Sequence, residues 1–177
     1  MSEMRGETDQ KAGMNYGHLA GKYLTFKLDE EEYGLDIMKV QEIIGIMPVT
    51  KVPRVPEYVR GVINLRGRII PTIELRAKFG IESVEDTERT CIIVVELQTE
   101  KGKVNMGVIV DEVAEVMDFN ADSIDAAPEF GTALNTAFIL GIGIVKGSVK
   151  ILLDLDKVLT AQEMSHVETI AQTQAPA

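Results

Sequence analysis

The sequence predicts a mostly β protein built from two linked small β-barrels. Two segments occur twice in the same order, as in a tandem duplication of one small unit. Short strands with glycine turns follow one another without the long intervening helices of a parallel α/β fold. The chain has 177 residues, which suffices for one ordinary domain or two very small ones.

The duplication can be followed position by position. Residues of the first segment and their equivalents in the second copy, at unchanged spacing, are Gly34 and Gly107, Ile37 and Val110, Val40 and Val113, Glu42 and Glu115, and Ile43 and Val116. For the second segment they are Gly61 and Gly141, Gly67 and Gly147, Ile69 and Val149, Ile73 and Leu153, Glu74 and Asp154, and Leu75 and Leu155. Coincidence rarely keeps such spacing without a gap, so we interpret the chain as two similar modules.

Each half opens with a predicted hairpin. Residues 23–28 alternate between apolar and polar side chains, as in a half-buried strand, and the acidic residues 29–32 form a turn into residues 33–37. The acidic turn lacks the spacing and the central glycine of a calcium loop. In the second half, residues 91–95 are apolar at every position, which is typical of a strand covered on both faces, and they lead into residues 104–110.

A further hairpin and a few short helices complete the predicted elements. Arg66-Gly67 lies between two apolar runs, at the position expected for a hairpin turn. Residues 75–79 predict a short helix that ends at Gly80. Near the C-terminus, Thr160 and Glu163 have the spacing of a capping box, which predicts a helix over residues 161–170.

Composition excludes several classes of protein. A net charge of −10 and an aromatic content of 5% argue against nucleic-acid binding, which needs a positive surface and, for single strands, stacking rings. The longest apolar run, residues 137–145, is far shorter than the ~20 residues of a membrane-spanning helix, and no signal peptide is recognisable. We expect a cytoplasmic protein without direct membrane insertion, in which Cys91 serves as a small buried apolar residue.

The search for reactive groups predicts no enzyme, no cofactor and no metal site. His18 and His166 have no cysteine or histidine at ligand spacing. The glycines at 141, 143 and 147 are separated by β-branched residues, which favours a hairpin over a phosphate loop. No paired acids and no nucleophile with a base stand out.

One segment reverses the overall charge. Residues 51–68 contain five basic residues and one acidic residue in an otherwise acidic chain. Arg66 at the hairpin turn would present a planar guanidinium, which suits a carboxylate or carbonyl groups of another protein. The segment is therefore a candidate docking surface, although ordinary solvated loop residues remain the alternative.

Residues 61–76, with the sequence GVINLRGRIIPTIELR, closely resemble the signature of the CheW family, the coupling proteins of bacterial chemotaxis. Other blocks that resemble the family are residues 32–37, 40–43, 107–113, 124–130 and 151–155. The resemblance extends over about residues 23–164, with conservative departures at Thr72 and Glu74.

The resemblance implies two SH3-like five-stranded barrels around a shared core, with strands exchanged between the halves. We expect a leader over residues 1–20, a CheW-like domain over 21–160 with subdomains at about 21–85 and 86–155, and a C-terminal helix with a frayed tail over 161–177. The family implies a non-enzymatic adaptor that joins the tips of methyl-accepting chemoreceptors to the regulatory domain of the histidine kinase CheA. Such an adaptor is recruited to membrane-associated receptor arrays.

The resemblance also implies a receptor-binding site in a groove between the barrels. The predicted site residues, the last two of them added by position, are Val40, Glu42, Gly61, Arg66, Asn64 and Leu65. Our hypothesis is that Val40 and Leu65 form an apolar floor while Glu42 and Arg66 set the orientation of the receptor. The kinase-binding residues are not mapped by any motif.

Three alternatives stay open at this point. Glu115 is the equivalent of Glu42, so a structural role common to both copies is possible for this acid. The chain could serve a non-flagellar chemosensory pathway instead of flagellar chemotaxis. A small-molecule-binding or catalytic barrel is the third alternative, and it predicts a deep pocket with converging polar groups.

Overall fold

The computed structural model describes residues 17–99, 102–126 and 137–160, together with Glu163, Val167 and Thr169. The strands are β1 (Gly21–Leu28), β2 (Glu31–Asp36), β3 (Val40–Gly45), β4 (Val59–Leu65), β5 (Arg68–Glu74), β6 (Cys91–Thr99), β7 (Gly102–Val110), β8 (Glu112–Phe119), β9 (Ile124–Asp125), β10 (Ile139–Val145) and β11 (Ser148–Leu153). The helical elements are α1 (Leu75–Lys78) and the 3₁₀ turns Gly17–Leu19, Ile37–Lys39, Ala121–Ser123 and Leu155–Lys157. The prediction of a mostly β protein is confirmed.

The strands form two sheets, and each sheet combines strands from both halves of the chain. The six-stranded sheet has the order β8-β1-β2-β11-β10-β9, and the five-stranded sheet has the order β3-β6-β7-β5-β4. Neighbouring strands are antiparallel except at two contacts, β2 with β11 and β5 with β7. The β1–β2 hairpin thus lies among strands of the second copy, and the β6–β7 hairpin lies among strands of the first.

One pair of equivalent glycines, Gly34 and Gly107, lies at these parallel contacts. Gly34 of β2 is opposite Leu152 of β11, and Gly107 of β7 is opposite Thr72 of β5. A Cβ atom at Gly34 would lie 2.9 Å from Leu152 Cδ2, and one at Gly107 would lie 2.9 Å from Thr72 Cγ2. At Gly107 the nearest atom would be Ile92 Cγ2 of β6, at 2.8 Å, so glycine at both positions leaves room for the side chains of the neighbouring strands.

The six-stranded sheet has one strand more than expected, and the first copy has a shorter version of the same contact. The expected number of five strands is found in one sheet, whereas the two-residue strand β9 adds a sixth to the other, with Asp125 opposite Ile142. At the equivalent place in the first copy, Thr50 forms a single β-bridge with Val62. The two copies therefore have the same extra contact, which is long enough to form a strand only in the second.

Apolar side chains form one cluster inside each sheet and a larger cluster between the sheets. Every strand of the five-stranded sheet contributes to its own cluster, which contains Ile44, Ile63, Ile70, Ile92, Val94 and Ile109. The six-stranded sheet surrounds Tyr23, Phe119, Ile124 and Leu152. The central cluster contains residues of both sheets, among them Phe26, Leu35, Ile73, Val95 and Met106. Each sheet therefore curls around its own interior while its outer face packs on the other sheet.

Several local predictions can be compared with the structure. The short helix begins at Leu75 as expected, and Gly80 follows it with a φ of 73°. The capping box is present, because the Thr160 amide donates to Glu163 Oε1 over 2.9 Å and the Glu163 amide donates to Thr160 Oγ1 over 3.1 Å. The domain boundaries stay predictions, and most of the leader, the C-terminal helix and the tail lie outside the described residues.

None of the helices within the described ranges is long and apolar enough to cross a membrane. In that same part of the chain, no group of three or more histidine, cysteine, aspartate or glutamate side chains has the arrangement of a metal site. His18 lies there and is exposed, whereas His166 lies outside it.

Candidate functional site

The first hairpin presents Arg66 at a tight two-residue turn. Arg66 and Gly67 have φ angles of 53° and 84°. Positive φ at both positions is the geometry of a type I′ turn, whose twist matches that of the flanking strands. The side chain of Asn64 stabilises this turn, because its Oδ1 accepts a hydrogen bond from the Gly67 amide over 2.8 Å. Asn64 is therefore a residue that shapes the turn on which Arg66 is carried.

Arg66 forms a bidentate ion pair with Glu42. Its Nη1 lies 2.7 Å from Glu42 Oε2, and its Nη2 lies 2.8 Å from Glu42 Oε1. Two parallel charge-assisted hydrogen bonds fix the orientation of the guanidinium. The hydrogen bond from Arg66 holds the pKa of Glu42 below its usual value, and the carboxylate in turn raises the pKa of Arg66.

The ion pair connects opposite edges of one sheet. Glu42 lies on β3 and Arg66 follows β4, and these are the two edge strands of the five-stranded sheet. Their contact shows how strongly the sheet curls. The Arg66 side chain nevertheless remains 71% exposed, against 29% for Glu42, so the guanidinium is held in place and still accessible to a partner.

The second copy has the same turn without the ion pair. Lys146 and Gly147 have φ angles of 53° and 78°, nearly those of Arg66 and Gly67. Both Glu115 and Lys146 belong to the described part of the chain, and no ion pair joins them there. The acid at this position of the repeat therefore forms an ion pair in one copy only, which argues against a structural role common to both.

Val40 and Leu65 are half-buried and pack against different hydrophobic clusters. Val40 is the first residue of β3 and packs against the central cluster. Leu65 is the last residue of β4 and packs against the cluster inside the five-stranded sheet. The structure thus does not bring the two side chains into a single cluster. The idea that they share the floor of one groove gains no support from their packing.

Gly61 has a structural role. It is buried with a φ of 151°, and a Cβ atom at this position would lie 2.0 Å from the carbonyl oxygen of Thr50. Thr50 and Val62 exchange two backbone hydrogen bonds of 2.9 Å at this place. Gly61 therefore allows the segment before Thr50 to lie against β4, and a direct contact with a receptor stays a prediction.

Acidic side chains from outside the basic segment, residues 51–68, neutralise part of its positive charge. Arg60 forms ion pairs with Glu74 and with Asp86, the latter over 2.7 Å, and Arg66 is paired with Glu42. Two of the five basic side chains are therefore compensated within the protein. Lys51 and Arg54 are exposed on the loop before β4.

Sequence reasoning missed an exposed methionine beside the predicted site. Met38 is 82% exposed on the 3₁₀ turn Ile37–Lys39, which precedes Val40. The Asp36 side chain accepts a hydrogen bond from the Met38 amide over 3.0 Å and holds this turn. Asp36, four positions before the first residue of β3, was the available signal, because aspartate often caps such turns.

A cavity of about 450 Å³ lies at the ends of β2 and β11. Among its charged lining groups, Lys22 pairs with Asp118 over 2.8 Å and Lys39 pairs with Asp156 over 2.7 Å. Charges that are already paired do not form the converging free polar groups that a small-molecule site uses. The cavity therefore gives no support to the small-molecule alternative.

We expect the Glu42→Gln variant to be as stable as the wild type. The ion pair with Arg66 is solvent-exposed, and exposed pairs contribute little to folding. The measurement is the thermal unfolding midpoint, with Glu115→Gln as the matched control in the second copy. A clearly lower midpoint for Glu42→Gln alone would restore a structural role for this acid.

Comparison with known proteins gives a consistent result. The family model of the CheW-like domain matches residues 22–163 of this chain. A chemotaxis protein CheW from Klebsiella aerogenes is 38% identical over 98% of this chain and 96% of its own length. Another from Rhizobium meliloti is 33% identical over 79% of this chain and 88% of its own. The crystal structure of the scaffolding protein TtCheW from Thermoanaerobacter tengcongensis is similar with a TM-score of 0.72 and 37% identity, covering 82% of this chain and 97% of that one.

The duplicated unit, the two curled sheets and the first hairpin with its paired arginine thus occur in a chain that matches this domain over residues 22–163. On these grounds the chain belongs to the CheW family.

Proposed function

We propose that this chain is a non-enzymatic chemotaxis adaptor that couples methyl-accepting chemoreceptors to the histidine kinase CheA. Its partners are the cytoplasmic tip of the receptor and the regulatory domain of the kinase. It acts in the cytoplasm and is recruited to membrane-associated receptor arrays. The observation that carries the proposal is the exposed Arg66, which Glu42 orients on the first hairpin.

The relatives support this assignment at the level of the process. Proteins named chemotaxis protein CheW match this chain over most of their length, and the similar crystal structure is that of a scaffolding protein. A scaffold acts through contacts with other proteins, and a surface cation in fixed orientation is suited to such a contact.

Coupling of this kind requires a difference in affinity. A receptor signal reaches the kinase only if the adaptor binds one signalling state of a partner more tightly than another. Arg66 can contribute to such a difference because its guanidinium is already oriented, so little rotamer entropy is lost when a receptor carboxylate or carbonyl binds to it.

The other predicted residues support this contact in different ways. Asn64 holds the turn that carries Arg66, and Gly61 allows the packing of the segment beside it. Val40 lies two residues before Glu42 and Leu65 directly before Arg66, and the exposed part of each half-buried side chain adds apolar surface there.

The proposal is tested by titrating the protein with a receptor cytoplasmic fragment and with the kinase regulatory domain. In the Arg66→Glu variant we expect receptor affinity to fall by ~10-fold or more, about 1.4 kcal/mol, because two acids then face each other where the ion pair was. Kinase affinity and the unfolding midpoint should stay near the wild-type values.

The matched control is Lys146→Glu, which makes the same charge change at the equivalent turn of the second copy. This variant should bind the receptor fragment as the wild type does. Absence of binding to either partner by the wild type would refute the adaptor function. Equal loss of both partners in Arg66→Glu would show that Arg66 maintains the fold.

A further inference from the structure

The β4–β5 hairpin has a second arginine, Arg68, on the other side of Gly67. Arg68 is the first residue of β5 and lies opposite Leu65, the last residue of β4. It is exposed, and it forms no ion pair with an acid in the part of the chain that the structure describes. The charge of Arg68 is therefore available to a partner, whereas that of Arg66 is compensated by Glu42.

A neutral side chain holds the Arg68 guanidinium in place. In the amide orientation that satisfies both side chains, Asn105 Oδ1 accepts hydrogen bonds from Nη1 of Arg68, over 3.3 Å, and from Nη2. Asn105 lies on β7, the neighbour of β5 in the sheet. An amide oxygen fixes the direction of a guanidinium without neutralising its charge. Arg66 and Arg68 are thus both oriented, but only Arg66 has an acid within the described chain as its partner.

The two arginines lie at the same end of the curled five-stranded sheet. Glu42 is opposite Val94. Arg68 is two residues before Ile70, and Ile70 and Val94 both belong to the cluster inside this sheet. Because side chains alternate between the two faces of a strand, Glu42 and Arg68 both leave the sheet on its inner face. Arg66 reaches Glu42 from the turn beside Arg68, so both guanidiniums border the open end of the sheet.

The tip of this hairpin has an excess of positive charge. Arg66 and Arg68 contribute two positive charges there, and Glu42 contributes one negative charge. The ion pair between Lys103 and Glu96 within the neighbouring β6–β7 hairpin is balanced and leaves this excess unchanged. Because the whole chain has a net charge of −10, the excess distinguishes the hairpin tip from the rest of the protein.

The second copy shows that the turn itself does not need Arg68. Lys146 and Ser148 occupy the equivalent positions of Arg66 and Arg68. The φ angles of Lys146 and Gly147 are nearly those of the first turn, although the residue after this glycine is a serine. The arginine at position 68 is therefore not required to form the hairpin, which leaves its side chain free to serve a partner.

We propose that Arg68 and Arg66 together bind one carboxylate group of the receptor tip. This inference rests on the proposed function, because it names the chemical group that the receptor presents to the hairpin. Two oriented guanidiniums with one uncompensated charge attract a carboxylate more strongly than a neutral carbonyl, and their planar N–H groups match its two oxygen atoms. Arg66 provides a donor of fixed direction, and Arg68 provides the uncompensated charge.

The test is a calorimetric titration of the Arg68→Gln variant with a receptor cytoplasmic fragment at low and at high salt. Glutamine removes the charge and keeps an N–H donor for Asn105. We expect receptor affinity to fall about 5-fold or more at low salt and less at high salt, where the attraction is screened. Arg68→Lys keeps the charge and should recover part of the loss. A loss below about twofold at both salt concentrations would overturn the role of Arg68.

The double variant with Arg66→Gln shows whether the two arginines share one carboxylate. If they do, removal of one guanidinium reduces what the other can contribute. The loss of affinity in the double variant should then be smaller than the product of the two single losses. Losses that multiply would refute a shared group, because each arginine would then contact the receptor independently.

The matched control is Lys146→Gln, which removes a cation from the equivalent turn of the second copy. This variant should bind the receptor fragment as the wild type does at both salt concentrations. A lower unfolding midpoint of Arg68→Gln, with equal loss of the receptor and of the kinase domain, would show that Arg68 maintains the fold and would overturn the inference. Absence of receptor binding by the wild type would instead refute the proposed function itself.

Discussion

The Gly61→Ala variant is expected to lose at least about 3 kcal/mol of folding free energy, or to fail to fold. Its Cβ atom would overlap the Thr50 carbonyl oxygen at 2.0 Å, and no rotation of a side chain can relieve a clash with backbone. Alanine is also strained at a φ of 151°. Relief requires the segment before Thr50 to move away from β4, which breaks both hydrogen bonds between Thr50 and Val62.

Thermal or denaturant unfolding measures this effect, and Gly45→Ala is the matched control. Gly45 has open space around its Cβ position and no positive φ, so its replacement should change stability by less than about 0.5 kcal/mol. Gly61→Ala with wild-type stability and no receptor binding would contradict this interpretation. In that case Gly61 would act as a direct contact.

The Arg76→Met variant is expected to lose about 2–4 kcal/mol at neutral pH. The Arg76 side chain is 13% exposed and its guanidinium contacts three segments. It donates to both carboxylate oxygens of Asp111 over 2.8 and 2.7 Å, to the Glu82 carbonyl over 2.6 Å, and to Asp29 over 3.4 Å. Methionine keeps an apolar stem but leaves the Asp111 carboxylate without its cation.

The loss should depend on pH in a defined direction. Burial alone would raise the pKa of Asp111, but the hydrogen bonds from Arg76 and from the Asp29 amide outweigh it and hold this pKa below its ordinary value. A lowered pKa in the folded state contributes stability above the unfolded value of about 4, and this contribution disappears as the pH falls through the folded pKa. The difference between wild type and Arg76→Met should therefore shrink below pH ~4.

Urea unfolding at neutral and acidic pH tests both parts of this expectation. Lys22→Met is the control, because it removes an ion pair whose side chains are 61% and 69% exposed. Exposed pairs contribute little, so this variant should stay within about 0.5 kcal/mol of the wild type. A difference for Arg76→Met that is constant across pH would show that contacts independent of the Asp111 charge, such as the hydrogen bond to the Glu82 carbonyl, cause the destabilisation.

Local features of the fold were predictable because they depend on neighbouring residues. Alternation in β1 and the glycine turn of the β4–β5 hairpin indicated a strand and a turn directly. The expectation that β1 is half-buried was wrong for Tyr23 and Thr25, which are buried together with the apolar residues of the strand. The partners of β2 and β5 were not predictable from pattern, because the same apolar residues fit either copy. Only the family resemblance implied an exchange of strands between the halves.

The candidate site was predictable in part for the same reason. Arg66 and Glu42 were both identified, but their ion pair spans 24 positions of sequence and depends on the curling of the sheet. The role of Gly61 depends on where the chain near Thr50 returns, which no local pattern encodes. Met38 was missed because an isolated apolar residue in a turn gives no sign of its exposure.

The reciprocal exchange of hairpins suggests how such a chain can arise in evolution. Two identical five-stranded units that swapped their hairpins would form a symmetric homodimer with the strand order seen here, and a gene fusion would join them into one polypeptide. Once joined, the halves are free to diverge, and Arg66 and Lys146 mark where they have done so. Neither half encodes a complete barrel, so an ancestor of a single unit would have required its own twin to fold.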